Sequence, residues 1–359
     1  MKQIDPIITL AKSFIEVKST ADNITESKKI LNIALSELNG FTVEKFEKNS
    51  ISSILIHNQK KRPDKFKIML NAHLDIVPGK SEQYNPVIKQ DRLYGVGAMD
   101  MKASAATMIL VFNEVAKKVN YPLALQLVTD EEIGGFNGTK YQIEKGIKAD
   151  FVIAGESTQL HIAHQSKGII WLKLTSRGKS AHGAYPWKGV NAVLKMNNLL
   201  NLLVKKYPVL KKEAWSTTLN ISKIETSNNA FNKIPDDCTA WLDIRYIPQD
   251  SEAIIKNIKK LLPIDIKIET ILIEPVLYTK EDNQYITLIQ KITNEVTNRK
   301  ARLYSANGSS DARHFSQIGC DGIEFGPKGG GIGSDNEWVD ISSLENYYKI
   351  LKQFLLRIN

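Results

Sequence analysis

Ile68-Met69-Leu70-Asn71-Ala72-His73-Leu74-Asp75 decides how this chain is to be read. An apolar run of strand length ends in a histidine and, two residues later, a carboxylate. Three further segments repeat the pattern. Leu93–Met99 runs into Asp100, Leu123–Asp130 into Glu131 and Glu132, and Phe151–Gly155 into Glu156. In open α/β sheets, ligands sit outside the carboxyl ends of the strands. A histidine and several carboxylates delivered to that rim make a nitrogen- and oxygen-lined pocket suited to Zn²⁺ or a similar divalent ion. His73 and Asp75 stand at i and i+2, so on a strand both side chains point to one face. A ligating histidine usually needs such a partner to orient its ring. Taken alone, the pair reads equally well as a buried structural histidine.

Working outward, residues 5–17 and 26–38 have helical periodicity. Residues 51–57 and 67–77 read as strands, and 101–118 as a helix directly after Asp100. Strands at 123–130 and 151–155 follow, with a helix at 139–145 between them. Strands alternating with helices argue for an α/β layer. The character changes near Lys167. Residues 168–176, 216–225, 238–246 and 264–273 read as strands, and 191–206 and 251–262 as helices. That β-α-β-β-α-β order resembles a ferredoxin-like unit. The α/β patterning resumes at 284–298 and runs to the C-terminus. The expectation is a catalytic domain built from 1–166 and 278–359, with a lid of 167–277 inserted into it.

Length and composition agree with this. At 359 residues, two compact units are expected. The formal charge of +9 raises nucleic acid as a partner, but Lys and Arg are scattered through helical stretches without interleaved aromatics, which argues against it. A basic surface still draws in small anionic substrates. No apolar run is long enough to span a bilayer, and the N-terminus lacks an apolar secretory core. Cys238 and Cys320 lie far apart, outside any CxxC pair, and read as buried reduced thiols. A cytoplasmic protein is the expectation. Gly178-Lys179-Ser180 lacks the upstream glycine of a phosphate-binding loop.

The motifs together resemble a known family, the zinc-dependent M20 peptidases and deacylases. This is the group of succinyl-diaminopimelate desuccinylase, acetylornithine deacetylase and glutamate carboxypeptidase. The resemblance is carried by His73-Leu74-Asp75-Ile76-Val77-Pro78, by Leu93-Tyr94-Gly95-Val96-Gly97-Ala98-Met99-Asp100-Met101-Lys102, by Thr129-Asp130-Glu131-Glu132-Ile133-Gly134-Gly135 and by Gly155-Glu156-Ser157-Thr158. It runs in order through essentially the whole chain. It implies an α/β fold with a mixed-sheet zinc-hydrolase catalytic domain and an inserted ferredoxin-like α+β lid that dimerises. It implies that His73, Asp100 and Glu156 hold one metal, and that Asp100 bridges to a second metal held by Glu132. Asp75 becomes the partner of His73. Glu131 becomes the general base that takes a proton from the attacking water and hands it to the leaving amine. The peptide after the bridging aspartate is commonly cis in the family, which points to Asp100-Met101.

The same resemblance assigns Gly178-Lys179-Ser180-Ala181-His182-Gly183 to the lid motif. There His182 stabilises the oxyanion in the neighbouring subunit of a homodimer; an exposed surface histidine is the plainer alternative. Asn232 and Arg245 would bind the polar groups and carboxylate of the substrate, for which the guanidinium fork is suited. A salt-bridged arginine on a strand is the alternative there. Ser309-Ser310-Asp311-Ala312-Arg313-His314 resembles the family's substrate-pocket loop, with Ser310 in a binding position, rather than a Ser/His/Asp nucleophile set.

One departure stands out. Phe325-Gly326-Pro327 and Asn336-Glu337-Trp338-Val339 match the family, but the histidine normally four residues before the glutamate is Gly333. Three accounts follow. The enzyme works with one tight metal and a weak or absent second; Ser334, Asp335, His314 or His164 fills the gap; or catalysis is lost and the chain binds its ligand without turning it over. Ser157 also stands where the family usually has proline. The function expected is metal-assisted hydrolysis of the amide of an N-acyl amino acid, of the succinyl-diaminopimelate or acetylornithine type, with Zn²⁺ and with Co²⁺ or Mn²⁺ as alternative occupants. A carboxypeptidase or dipeptidase acting on short peptides is the alternative.

Overall fold

The computed structural model describes residues 4–358; the first three residues of the expected catalytic domain, and Asn359, lie outside it. The chain forms two compact units. One comprises residues 4–165, 277–306 and 310–358, and the other 166–276 with 307–309.

The first unit is built on a nine-stranded mixed sheet. In spatial order its path runs Thr42–Lys48, Ile51–His57, Leu123–Val128, Phe66–His73, Ala149–Ala154, Asp321–Glu324, Ile162–Ser166 and Leu277–Tyr278, with Leu303–Ala306 paired to Ile162–Ser166. Its centre is parallel: Phe66–His73 lies between Leu123–Val128 and Ala149–Ala154, and Asp321–Glu324 continues the parallel run beside Ala149–Ala154. Parallel strands covered on both faces read as near-continuous apolar runs. Accordingly Ile68, Leu70 and Ala72 enter one core while Met69 enters the core on the opposite face. The first core is closed by helices Ile4–Ile15, Ala103–Val115 and Ile341–Arg357. Helix Ala103–Val115 is apolar and buried over most of its circumference, with Asn113 and Glu114 left toward the surface, as suits a central helix.

Several sequence boundaries move. The strand expected over 67–77 ends at His73, and the helix expected to begin at Met101 begins at Ala103, because Ala98–Lys102 forms a separate wide turn around Asp100. The helix expected over 251–262 is confined to Ile254–Lys259. The expected strand at 123–130 stops at Val128, which releases Asp130, Glu131 and Glu132 into the loop that follows. A small sheet of Gly329–Gly330, Trp338–Asp340, Arg92–Tyr94 and Val87–Lys89 was not expected at all; strands of two or three residues are too short to carry a period.

The second unit has the order Gly168–Arg177, helix Ala192–Lys206, Thr218–Glu225, Asp237–Tyr246, helix Ile254–Lys259, Ile266–Glu274. Its four strands pair antiparallel, with Asp237–Tyr246 and Gly168–Arg177 central. This is the ferredoxin-like arrangement. The alternation in Asp237–Tyr246 places Cys238, Ala240, Leu242 and Ile244 in the core beneath Ala192–Lys206. Cys238 and Cys320 are both buried free thiols. Among the described residues, no helix is long and apolar enough to cross a membrane.

The first unit depends most on Ala103–Val115, so its largest buried ring sets a test. Phe112 is fully buried. Phe112→Ala is expected to cost about 3–5 kcal/mol in urea unfolding, with the loss read from the midpoint at unchanged slope.

Candidate metal centre

The carboxyl ends of the parallel strands deliver the charged residues to one rim. Phe66–His73 ends at the histidine itself, Ala149–Ala154 is followed by Glu156, and Leu123–Val128 by Glu131 and Glu132. His73, Asp100 and Glu156 each place one ligand atom within 4.8 Å of the others, the one such group among the described residues. His73 Nε2 stands 3.0 Å from Asp100 Oδ1 and 3.8 Å from Glu156 Oε1.

The ring is oriented from behind. His73 Nδ1 lies 3.1 Å from the Asp75 backbone carbonyl and 3.6 Å from Asp75 Oδ1. A carbonyl only accepts, so Nδ1 carries a hydrogen and Nε2 is the nitrogen that faces the carboxylates. Asp75 is itself held, its Oδ2 accepting the Glu132 backbone N–H at 2.9 Å.

Asp100 is set by a loop that the sequence did not explain. The Asp100–Met101 peptide is cis, as the resemblance implied. The carboxylate of Glu337, quoted from sequence only as part of a matching segment, accepts the backbone N–H groups of Gly97 (3.1 Å), Met99 (2.8 Å) and Asp100 (3.0 Å). Gly97 has φ +73°, and a Cβ there would meet Ile76 Cγ2 at 2.6 Å, so only glycine closes this turn. Lys102, fully buried below it, donates to the Val17 carbonyl at 2.7 Å. Burial pulls its ammonium down to about 7 against the upward pull of Asp75 and Glu337.

Burial dominates the electrostatics. It pushes the Glu156 and Glu131 carboxyls well above the ordinary range; His73 opposes this in both, while Asp100 adds to the rise of Glu156 and Asp311 to that of Glu131. Glu132 is pushed up to about 7 by burial, with His73 pulling it back and Asp100 and Asp75 raising it further. Burial alone would lower the His73 ring, but Asp100, Asp75 and Glu156 raise it well above its usual value. A clustered set of buried acids around one imidazole is a donor set that a divalent cation fits.

Glu131 faces Arg313, with Nη1 3.9 Å from Oε1. Arg313 is pinned by donating to the Ser310 carbonyl at 2.8 Å and the Gly134 carbonyl at 2.7 Å. Neither Arg313 nor Glu337 was assigned a role from sequence; the Ser-Asp-Ala-Arg segment was the available signal for the first. Ser310 is buried, and its hydroxyl lies beside Glu324, which burial pushes up to about 7.

Glu132 is not part of the close cluster. It lines a cavity of about 210 Å³ that shares Asp100 with the cluster and includes Gly333 and Glu337. None of the four suggested substitutes lines that cavity. His314 Nε2 donates to the Gly134 carbonyl at 2.9 Å, and burial with Arg313 holds its ring down to about 3, so it stays neutral. His164 Nδ1 is bonded to the Thr279 carbonyl at 2.9 Å. Ser334 donates to the Gly331 carbonyl at 2.8 Å, and Asp335 pairs with Lys80.

The remaining expected residues belong to the second unit. His182 is exposed, its Nδ1 accepting the Ala184 N–H at 3.2 Å. Asn232 is exposed, its carbonyl accepting the Gly183 N–H at 2.7 Å. Arg245 lies on the sheet in an ion pair with Asp243 at 3.0 Å, beside Trp171, Asn220 and Trp241 around a cavity of about 510 Å³.

A model of peptidase family M20/M25/M40 matches residues 69–357 of the chain. The succinyl-diaminopimelate desuccinylase of Pelagibacter ubique is 30% identical over an alignment of 381 positions, covering 97% of each chain. That of Marinobacter nauticus is 26% identical and covers 99% of each. Among solved structures, aminopeptidase PepT from Bacillus cereus superposes with a TM-score of 0.81 at 19% identity, covering 98% of each chain, a likeness of fold.

The loop around Asp100 supplies a test independent of turnover. Glu337→Gln keeps one oxygen but turns an amide N–H₂ toward backbone donors. Metal affinity, measured by competitive titration of the folded protein, is expected to fall about 10–100-fold. Unchanged affinity would show that the Gly97–Asp100 turn holds its shape without Glu337.

Proposed function

The chain belongs to peptidase family M20/M25/M40, and from that premise we propose a metal-dependent amidohydrolase that cleaves N-succinyl-diaminopimelate or a closely similar N-acyl amino acid. The two desuccinylase relatives support the substrate class. The observation that carries the chemistry is the convergence of His73, Asp100 and Glu156 within 4.8 Å beside Glu131.

His73, Asp100 and Glu156 would hold the metal, with Zn²⁺ our choice for a set of one imidazole and two carboxylates. A divalent cation held there supplies Lewis acidity and makes water a nucleophile at neutral pH. Asp75 fixes the tautomer and angle of His73. Glu131 accepts the proton of the attacking water and returns it to the amide nitrogen as the bond breaks, and its raised proton affinity suits a group that must hold a proton between the two steps. Arg313, anchored by two carbonyls, sets the position of the Glu131 carboxylate. Ser310 contributes to the substrate pocket. The second unit acts as the lid of a homodimer, with His182 stabilising the oxyanion in the neighbouring subunit and Asn232 and Arg245 receiving polar and carboxylate groups of the substrate. A cytoplasmic location completes the proposal.

One tight metal is the reading we favour for the missing histidine. Gly333 offers no ligand, Glu132 stands outside the close cluster, and the alternative donors are bonded elsewhere. A dipeptidase or carboxypeptidase remains the second reading, favoured by the peptidase fold neighbour.

Amine release from N-succinyl and N-acetyl amino acids and from dipeptides separates the two substrate classes. Turnover that saturates at one metal equivalent is expected, with N-succinyl substrates preferred. Absence of turnover at every metal level in a folded protein would sink the enzyme reading and favour a binding variant. Glu131→Gln is expected to lower kcat by about 10²–10⁴-fold while metal stoichiometry is retained. Gly333→His tests the second site. A Cβ at 333 meets nothing within 4 Å, although φ +64° makes any side chain there strained. Equilibrium dialysis should find one tight equivalent in the parent and two in the variant; two equally tight equivalents in the parent would remove the single-metal reading.

A further inference from the structure

A cavity of about 870 Å³ in the first unit stands apart from the metal cluster, and none of His73, Asp100, Glu131, Glu132 or Glu156 lines it. Its wall carries Arg299, Lys300, Arg302 and Lys328, together with His161 and Asp340. No ion pair joins any of the four cations to a carboxylate among the described residues. The one acid in the wall is already committed. Asp340 Oδ1 accepts the Ser343 backbone N–H at 2.8 Å and the Ser342 hydroxyl at 2.7 Å, capping helix Ile341–Arg357.

Four like charges gathered on one concave wall repel one another, and the low-dielectric rim focuses their field inward. That arrangement is unfavourable in the free protein and is relieved by an anion. Two of the four are arginines, whose planar forks match carboxylate or phosphate oxygens in pairs. The volume falls within the roughly 300–1,000 Å³ of small-molecule sites. No Phe, Tyr or Trp lines the cavity, and His161 is its single ring, so there is no extended platform on which nucleic-acid bases could stack.

We propose that this cavity is a binding site for a small organic anion bearing two or more carboxylate or phosphate groups, separate from the hydrolytic centre. Its walls are continuous with the centre's own loops. Gln159, three residues beyond Glu156, donates its side-chain amide to the Gly329 carbonyl at 2.9 Å, and so ties one wall of the cavity to the glycine-rich loop that carries Gly333.

The test is isothermal titration of the full-length protein with fructose 1,6-bisphosphate and, separately, with propane-1,2,3-tricarboxylate, each against sodium chloride of matched ionic strength. Saturable binding of at least one of the two is expected, and the Arg299→Ser/Arg302→Ser double variant should bind it at least about tenfold more weakly. Lys205→Ser/Lys206→Ser removes the same number of charges from an exposed helix elsewhere and should bind like the parent. A response confined to the bisphosphate would name phosphate esters as the ligand class, and one confined to the tricarboxylate would name polycarboxylates. The proposal is overturned if neither anion gives more heat than matched salt, or if the arginine variant binds as the parent does, as it would if the anion merely chelated the metal. Intact thermal unfolding of the variant excludes loss of fold as the cause of weaker binding.

Discussion

The structure turns on an excess of buried negative charge at the carboxyl ends of parallel strands. Asp75, Asp100, Glu131, Glu132 and Glu156 are brought to one rim because each follows a strand or turn whose apolar run is buried. The nearby cations are few. His73 is raised well above its usual proton affinity, Arg313 faces Glu131 while donating to two carbonyls, and burial pulls the Lys102 ammonium down to about 7. Unpaired charge in such a setting costs several kcal/mol per ion. Protons or a cation must therefore occupy the site, and the raised carboxyls are what that demand looks like when protons alone meet it.

Around this constraint, the surrounding shell is built from backbone groups as much as from side chains. Asp75 uses both its carbonyl and its carboxylate on His73, and its second oxygen holds the Glu132 N–H. Glu337 gathers three N–H groups of one turn, arriving there because Trp338–Asp340 pairs with Arg92–Tyr94 in the small second sheet. A carboxylate accepting several N–H groups fixes a loop in the way an oxyanion site fixes a ligand. The position of Asp100 thus depends on a residue more than two hundred places away in sequence.

Much of this was legible in the sequence, and the reasons differ by element. Strands 66–73, 123–128 and 149–154 announced themselves as continuous apolar runs because both faces are covered. The ferredoxin-like unit was legible because its strands are half-buried and alternate. His73, Asp100, Glu131 and Glu156 were singled out by their place at the ends of those runs and by family resemblance, and the structure brings His73, Asp100 and Glu156 together. Met101 and Lys102 were taken for the start of the helix because the composition that follows, rich in Ala and Met, is helical, whereas both belong to the wide turn at Ala98–Lys102 that Glu337 holds. The short sheet and the work of Arg313 and Glu337 were hidden for one physical reason: pairings between distant short segments leave no local period.

Gly333 stands where the family resemblance places a second metal ligand. The position lies in a hairpin with a positive φ, where glycine is the least strained residue, and its missing side chain leaves open space rather than a collapsed core. The electrostatic debt falls on Glu132. With its proton affinity raised to about 7 by burial and by Asp100 and Asp75, Glu132 can carry a proton where a second cation would otherwise neutralise it. A proton there would reduce the negative charge that Glu132 and Asp100 place on the cavity they share with Gly333.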